Sequence, residues 1–162
     1  LSIWTKHTNY EQANRIPILI VAPGVANGGS VTRQLAETVD IYPTVAELAG
    51  LPVPKGPQSI DGKSLVPVLK NPKARVRDHA FHAYPRRRLG RAIRTERYRL
   101  VEWRNPDAYS KAEYELYDYF KGQVETVNLA KQKPALVKKL AATLAKYPEP
   151  ASRSGRKTKK NK

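Results

Sequence analysis

Trp4-Thr5-Lys6-His7-Thr8-Asn9-Tyr10-Glu11, continuing through Ala13-Asn14-Arg15-Ile16-Pro17 into the apolar run Ile18 to Ala22, decides how the rest of the chain is read. It sets a lysine beside a histidine in a polar segment that leads straight into an apolar one. The β-branched run from Ile16 to Ala22, closed by Pro23-Gly24, predicts a strand buried on both faces of a mainly parallel sheet. A charged loop feeding such a strand is the layout of a site. Glu11 and Arg15, four residues apart, are spaced to form a structural ion pair across one helical turn. Neighbouring side chains on an extended loop diverge, so Lys6 and His7 need not face the same pocket.

Working outward, Asn27-Gly28-Gly29 is a turn and Val31 to Thr38 an extended stretch. Asp40 is placed to cap a helix that tolerates Pro43 in its first turn and carries Ile41, Val45, Leu48 and Ala49 on one face. Gly50 ends that helix. After the proline-rich connector 52–57, Asp61-Gly62-Lys63-Ser64-Leu65 is a turn leading into a short helix through Val66-Pro67-Val68-Leu69. Gly62-Lys63-Ser64 does not make a phosphate-binding loop, because no first glycine stands at Pro57 and no apolar strand precedes it.

From Asp78 the texture becomes that of a β-sheet. Ala80 to Tyr84, Arg91 to Thr95, Tyr98 to Trp103 and Glu115 to Tyr119 read as four short strands, the middle two joined at Glu96-Arg97. Leu136, Leu140, Leu144 and Tyr147 recur at helical spacing between Pro134 and Pro148, which predicts one helix covering the sheet. The pattern divides into 1–77, 78–147 and a basic tail, 148–162, expected to be disordered.

The 162 residues carry a formal charge of +16, and its placement matters more than its size. Residues 151–162 hold six basic side chains and no acidic one, and twelve Lys/Arg face three Asp/Glu between Lys70 and Arg104. A polyanion is the natural partner of such a surface. No apolar run reaches the roughly 20 residues of a membrane span, and the first residues do not form a signal peptide. With no methionine even at position 1, the start reads as the middle of a longer chain. Cysteine is absent, which removes disulfides and thiolate metal ligands.

The pattern W-x-K-H-T-N-[YF]-E-x-A-x-R-x-P followed by an apolar run ending in Ala22-Pro23-Gly24 resembles the second half of the sulfatase family. Asp40-Ile41-Tyr42-Pro43-Thr44 to Ala49-Gly50-Leu51, the D-G-x-S-L element at Asp61, and the Glu115-Leu116-Tyr117-Asp118 and Glu125-Thr126-Val127-Asn128-Leu129 segments resemble it too. Phe120-Lys121-Gly122-Gln123 departs from the family's usual acidic D-P pair in a surface turn. Tyr84-Pro85-Arg86, Ile93-Arg94-Thr95, Tyr98-Arg99 and Trp103 look most like iduronate sulfatases. The resemblance runs from Leu1 to Tyr147.

It implies an α/β fold, a fragment of the alkaline phosphatase-like sulfatase architecture. One buried strand plus helices would precede a small four-stranded antiparallel sheet with a C-terminal helix. It implies hydrolysis of sulfate esters of a sulfated sugar or glycosaminoglycan-like substrate, with Lys6 contacting the sulfate and His7 beside it as catalytic residues. Arg86, Arg87, Arg88, Arg91 and His82 are candidate substrate contacts, since arginines make bidentate bonds to carboxylates and sulfates. Calcium and a formylglycine nucleophile are implied for the full-length enzyme, but the C/S-x-P-x-R motif that makes formylglycine is absent here and no metal ligand is assigned. The fragment is therefore expected to be inactive without the N-terminal part of the catalytic domain. A periplasmic, extracellular or lysosomal location follows from the resemblance. Two other readings stay open: a phosphodiesterase or phosphonate hydrolase of the same superfamily, and a basic polyanion-binding module. No specific nucleic-acid motif supports the last.

Overall fold

A computed structural model of the chain describes residues 6–26, 28–52, 56–84, 89–105, 108–120, 122 and 125–148. It divides into two compact units, Leu1–Ile16 with Phe81–Lys162, and Pro17–Ala80.

The first unit is built on a sheet of order β1-β2-β3-β4, with β1 His79–Ala83, β2 Leu89–Thr95, β3 Tyr98–Asn105 and β4 Ala108–Asp118. β2 and β3 pair antiparallel through the two-residue turn Glu96-Arg97, as expected, and β3 pairs antiparallel with β4. Thr95 closes the turn, its hydroxyl donating to the Tyr98 carbonyl at 3.1 Å and accepting from the Tyr98 N–H at 2.9 Å. β4 starts seven residues before the predicted strand, because pairing with the neighbouring β3 recruits the polar stretch 108–114.

Strand side chains alternate between faces, so the sheet sorts its own apolar residues into two clusters. Leu100 and Leu116 meet Leu140 on one face, with Leu136, Val137 and Ala141 packed around them. Those residues come from α4, Pro134–Leu144, which begins at the proline predicted to start it. Ala92, Val101, Tyr117 and Tyr119 form the other cluster, against which Tyr10 and Trp103 pack. That second face is covered by residues of the Lys6 loop and of the single turn α1, Glu11–Asn14.

The second unit holds a 3₁₀ turn, Thr38–Asp40, running into α2, Ile41–Leu48, and the short α3, Val66–Lys70. Asp40 is completely buried but does not cap α2 with its side chain. It accepts instead from the backbone N–H groups of Glu37 and Lys63, at 2.8 and 2.7 Å, and pairs with Arg77. Thr44 donates to the Asp40 carbonyl and accepts from the Leu65 N–H, tying α2 to the start of α3. Gly62 has no room for a side chain, since a Cβ there would overlap the Val39 carbonyl. Gly50 ends α2 with φ 66°, its N–H and that of Leu51 reaching back to Glu47 and Ala46.

Two expectations for this unit need correction. The face predicted for α2 is not its buried one: Ile41 and Val45 are exposed, while Pro43, Thr44 and Ala46 are buried. The polar anchor at Asp40 and Thr44 orients the helix in place of its large apolar side chains. The run 16–22 is extended but unpaired, and Leu19 and Val21 are 85% and 91% exposed. A parallel strand needs neighbours on both edges, and the described residues supply none for it.

Candidate functional site

The site is the loop from Lys6 to Arg15. Lys6 and His7 are exposed, whereas the next two residues, Thr8 and Asn9, are buried, Asn9 completely. The loop thus presents its two cationic-type side chains at a tip and is sunk into the sheet immediately behind them.

Three sets of contacts fix it. His7 stacks on Tyr84, just past the end of β1, with ring centroids 5.4 Å apart and planes 15° apart. Inside the loop, the Asn14 amide donates to the carbonyls of Thr8 and Tyr10 at 3.2 and 2.6 Å. Tyr10 donates to Glu115 of β4 at 2.8 Å and sits edge-on to Tyr117.

The third set is a buried charge cluster. Arg99 of β3 donates to Glu11 at 2.5 Å, to the Asn9 carbonyl at 2.9 Å and to the Tyr119 hydroxyl at 3.0 Å. Arg94 of β2 donates to the same Glu11 oxygen at 3.1 Å and lies over the Tyr119 ring. Glu125 accepts from the Glu11 N–H at 2.6 Å and from Tyr119 at 2.5 Å. Burial would raise the Glu11 carboxyl, but the Arg94 and Arg99 bonds outweigh it and hold the group below the usual carboxylate value. Tyr119 is pushed upward, chiefly by burial.

Glu11 therefore forms a structural ion pair, as its spacing suggested, but with different partners. Arg15 is exposed, and the pairing runs to Arg94 and Arg99, 83 and 88 residues away. A signal for this lay in the hairpin. Arg94 and Arg99 stand directly opposite each other across β2 and β3, and like charges in that position require a carboxylate between them. Asn9, Tyr119 and Glu125 carried no such signal, because their roles depend on contacts with residues distant in sequence.

His82 is half-buried on β1 and hydrogen-bonds the backbone of Thr8. Burial, followed by the charge of Arg99, lowers its pKa and keeps it neutral. Its Nε2 and both amide atoms of Asn9 are buried without a hydrogen-bond partner among the described residues. His82 thus sits behind the Lys6–His7 tip. His79 and His82, three apart on one strand, take opposite directions.

Arg91, a candidate substrate contact, is held inside the sheet unit. It is 2% exposed, donates to Glu102 at 2.7 Å and to the Tyr147 carbonyl at 3.0 Å, and so lies on the α4 face of the sheet. Its guanidinium is used up in closing that face. Arg94, committed to Glu11, is likewise structural. Arg86, Arg87, Arg88 and the whole tail after Pro148 lie outside the described residues, as does Trp4. Among the described residues, no three His, Asp or Glu side chains converge as a metal site, and no helix is long and apolar enough to cross a membrane.

A four-stranded antiparallel sheet with one helix on a face is the part of this chain's fold that is similar to solved sulfatases. The chain belongs to the family of N-sulphoglucosamine sulphohydrolase C-terminal regions, whose model matches residues 2–149. A sulfatase from Formosa agariphila is 34% identical over 141 residues, covering 80% of this chain and 25% of that protein. Arylsulfatase K from Danio rerio is 32% identical over 155 residues, covering 88% of this chain and 28% of its own length. The N-acetylglucosamine-6-O-sulfatase of Bacteroides thetaiotaomicron is 30% identical over 159 residues, covering 88% and 27%. Among solved structures, a 2-O GAG sulfatase superposes with a TM-score of 0.54 at 27% identity, over 67% of this chain and 23% of that one. The chain spans about a quarter of the length of these sulfatases.

Proposed function

We propose that this chain supplies one wall of a sulfatase active site acting on a sulfated sugar of the glycosaminoglycan type, with Lys6 contacting the sulfate and His7 beside it. The observation that carries this is the abrupt change along the loop, from exposed Lys6 and His7 to buried Thr8 and Asn9. A loop anchored that firmly holds its tip in one place, and fixed placement is what lets a cation act on a transition state. In sulfate ester hydrolysis, negative charge resides on the non-bridging oxygens and grows on the leaving oxygen. The Lys6 ammonium, a compact charge with three donors, suits those oxygens.

Neutral His82 supports the loop through Thr8. His7 stacks on Tyr84, and the arginines at 86, 87 and 88, which follow Tyr84 and Pro85 in the sequence, we assign to recognition of further sulfates or carboxylates. The iduronate sulfatase-like pattern around Tyr84-Pro85-Arg86 makes a sulfated uronic acid the first substrate to try. Relatives named for N-acetylglucosamine-6-O-sulfate and for 2-O-sulfated GAG chains support the broader class.

A formylglycine would supply the nucleophile of such an enzyme and calcium would neutralise the sulfate. The C/S-x-P-x-R motif that makes formylglycine is absent from this sequence, and we assign both groups to the N-terminal part of the catalytic domain. These residues alone should be inactive, and the partner they need is the N-terminal part of the catalytic domain. The unpaired run 16–22, with Leu19 and Val21 uncovered, is the natural place for that part to add neighbouring strands. By family likeness the enzyme would work in the periplasm, outside the cell or in a lysosome.

In the full-length enzyme, Lys6→Ala should lower kcat on a sulfated disaccharide by about 10²–10³-fold while the unfolding midpoint stays unchanged. Turnover within a few-fold of the parent would remove Lys6 from the site.

A further inference from the structure

We propose that the groove between α4 and β4 is a second binding site for a sulfated or uronate-bearing sugar unit, separate from the Lys6 site and able to hold a polymeric substrate. The groove, of about 490 Å³, is lined by Tyr114 of β4, by Lys131, and by Pro134, Val137, Lys138 and Ala141 of α4. It is a shallow groove open to solvent, with an apolar lining and two charged groups at its edge. A tyrosine, a proline and two small aliphatic side chains suit the C–H face of a sugar ring. Lys131 and Lys138 are exposed and supply point charges for sulfate or carboxylate.

The placement separates this groove from the catalytic loop. Tyr114, Val137 and Ala141 pack on the Leu100–Leu116–Leu140 cluster, whereas Tyr10 of the Lys6 loop packs on the cluster of the opposite sheet face. One sugar unit cannot touch both, but a chain of units can. Charge favours an anionic occupant over a neutral one. From Ala130 to Pro148 there are five lysines and no acidic residue. Tyr114 donates its hydroxyl to Glu102 at 3.1 Å, so its ring is locked before any ligand arrives. A fixed aromatic loses little entropy on binding.

The choice of a sulfated sugar rests on the proposed sulfatase reading, and the experiment separates the two. In the full-length protein, affinity for a sulfated glycosaminoglycan octasaccharide and for its desulfated, carboxyl-reduced form is measured by titration calorimetry. Turnover of a small aryl sulfate is followed in parallel. Lys131→Glu with Lys138→Glu should weaken octasaccharide binding at least tenfold and leave aryl sulfate turnover unchanged. Lys139→Glu with Lys146→Glu, exposed lysines that do not line the groove, is the control. Unchanged affinity in the first variant, equal weakening in both, or equal binding of the neutral octasaccharide each overturns the site. Absent aryl sulfate turnover with weakened binding in the first variant alone overturns the catalytic reading and leaves the groove standing.

Discussion

The two faces of the sheet are closed in opposite ways. On one, α4 lays aliphatic side chains over Leu100 and Leu116, and the charged pair Arg91–Glu102 joins at the margin. On the other, a loop with only one helical turn is fastened by Glu11, Arg94, Arg99, Tyr119 and Glu125, around a smaller cluster of alanine, valine and tyrosines. A helix satisfies its own backbone and can be held by apolar contact alone. A loop cannot, so its carbonyls and N–H groups must find partners in the surface beneath. Arg99 taking the Asn9 carbonyl and Glu125 taking the Glu11 N–H are such partners. The polar face is the one that carries the candidate site, because only directional bonds fix a loop in a single shape.

The strongest way to break this contrast is Glu11→Gln in the full-length protein. It leaves the Arg94 guanidinium buried without its carboxylate and Arg99 with only Glu125 at 3.9 Å, which costs about 3–5 kcal/mol of stability. Amide hydrogen exchange should rise across Thr8 to Asn14 while α4 stays protected; equal loosening of both faces would show that they are not independent. Acid should act in the same way. The folded pKa of Glu11 is depressed, so its contribution is present above the ordinary carboxylate value of 4.5 and is lost as pH falls through the lower folded value. Denaturant midpoints measured from pH 6 to pH 2 should fall less steeply in Glu11→Gln than in the parent. A parallel fall in both would count against the assignment.

Leu140→Ala tests the other face. Removing this buried side chain should cost roughly 2–4 kcal/mol and raise exchange in α4, with the Lys6 loop spared. Loss of loop protection in this variant would contradict the division. The smallest effect is expected from Gly90→Ala, where the new Cβ would overlap the Trp103 ring and the Asn9 amide. Overpacking of this kind costs about 1–3 kcal/mol, and here it should show itself as a raised KM through displaced Asn9. An unchanged KM would mean that Asn9 does not position the tip.

The division between faces also marks what a sequence can disclose. The β2–β3 hairpin, α4 between its two prolines and the Gly50 cap were legible because each depends on residues a few positions apart. The Lys6-His7 tip was legible as a motif. Its support was not, since Glu11 finds Arg99 at a separation of 88 positions and the nearer Arg15 was an equally good partner by spacing. Asp40 misled for a related reason: a cap position and a buried ion pair with Arg77 look the same in one dimension. The run 16–22 was read as buried because its composition describes a strand with neighbours, and the described residues do not contain them.

The pairing of Glu11 with Arg94 and Arg99 separates a motif from the site it names. A polypeptide cut anywhere between Gly24 and Arg94 keeps every letter of the lysine–histidine signature and loses the groups that give it a shape. Such a product would be recognised by any search for the signature and would lack the anchored loop. In this protein the address of the site is written at one end of the sequence and its foundation nearly ninety residues further on.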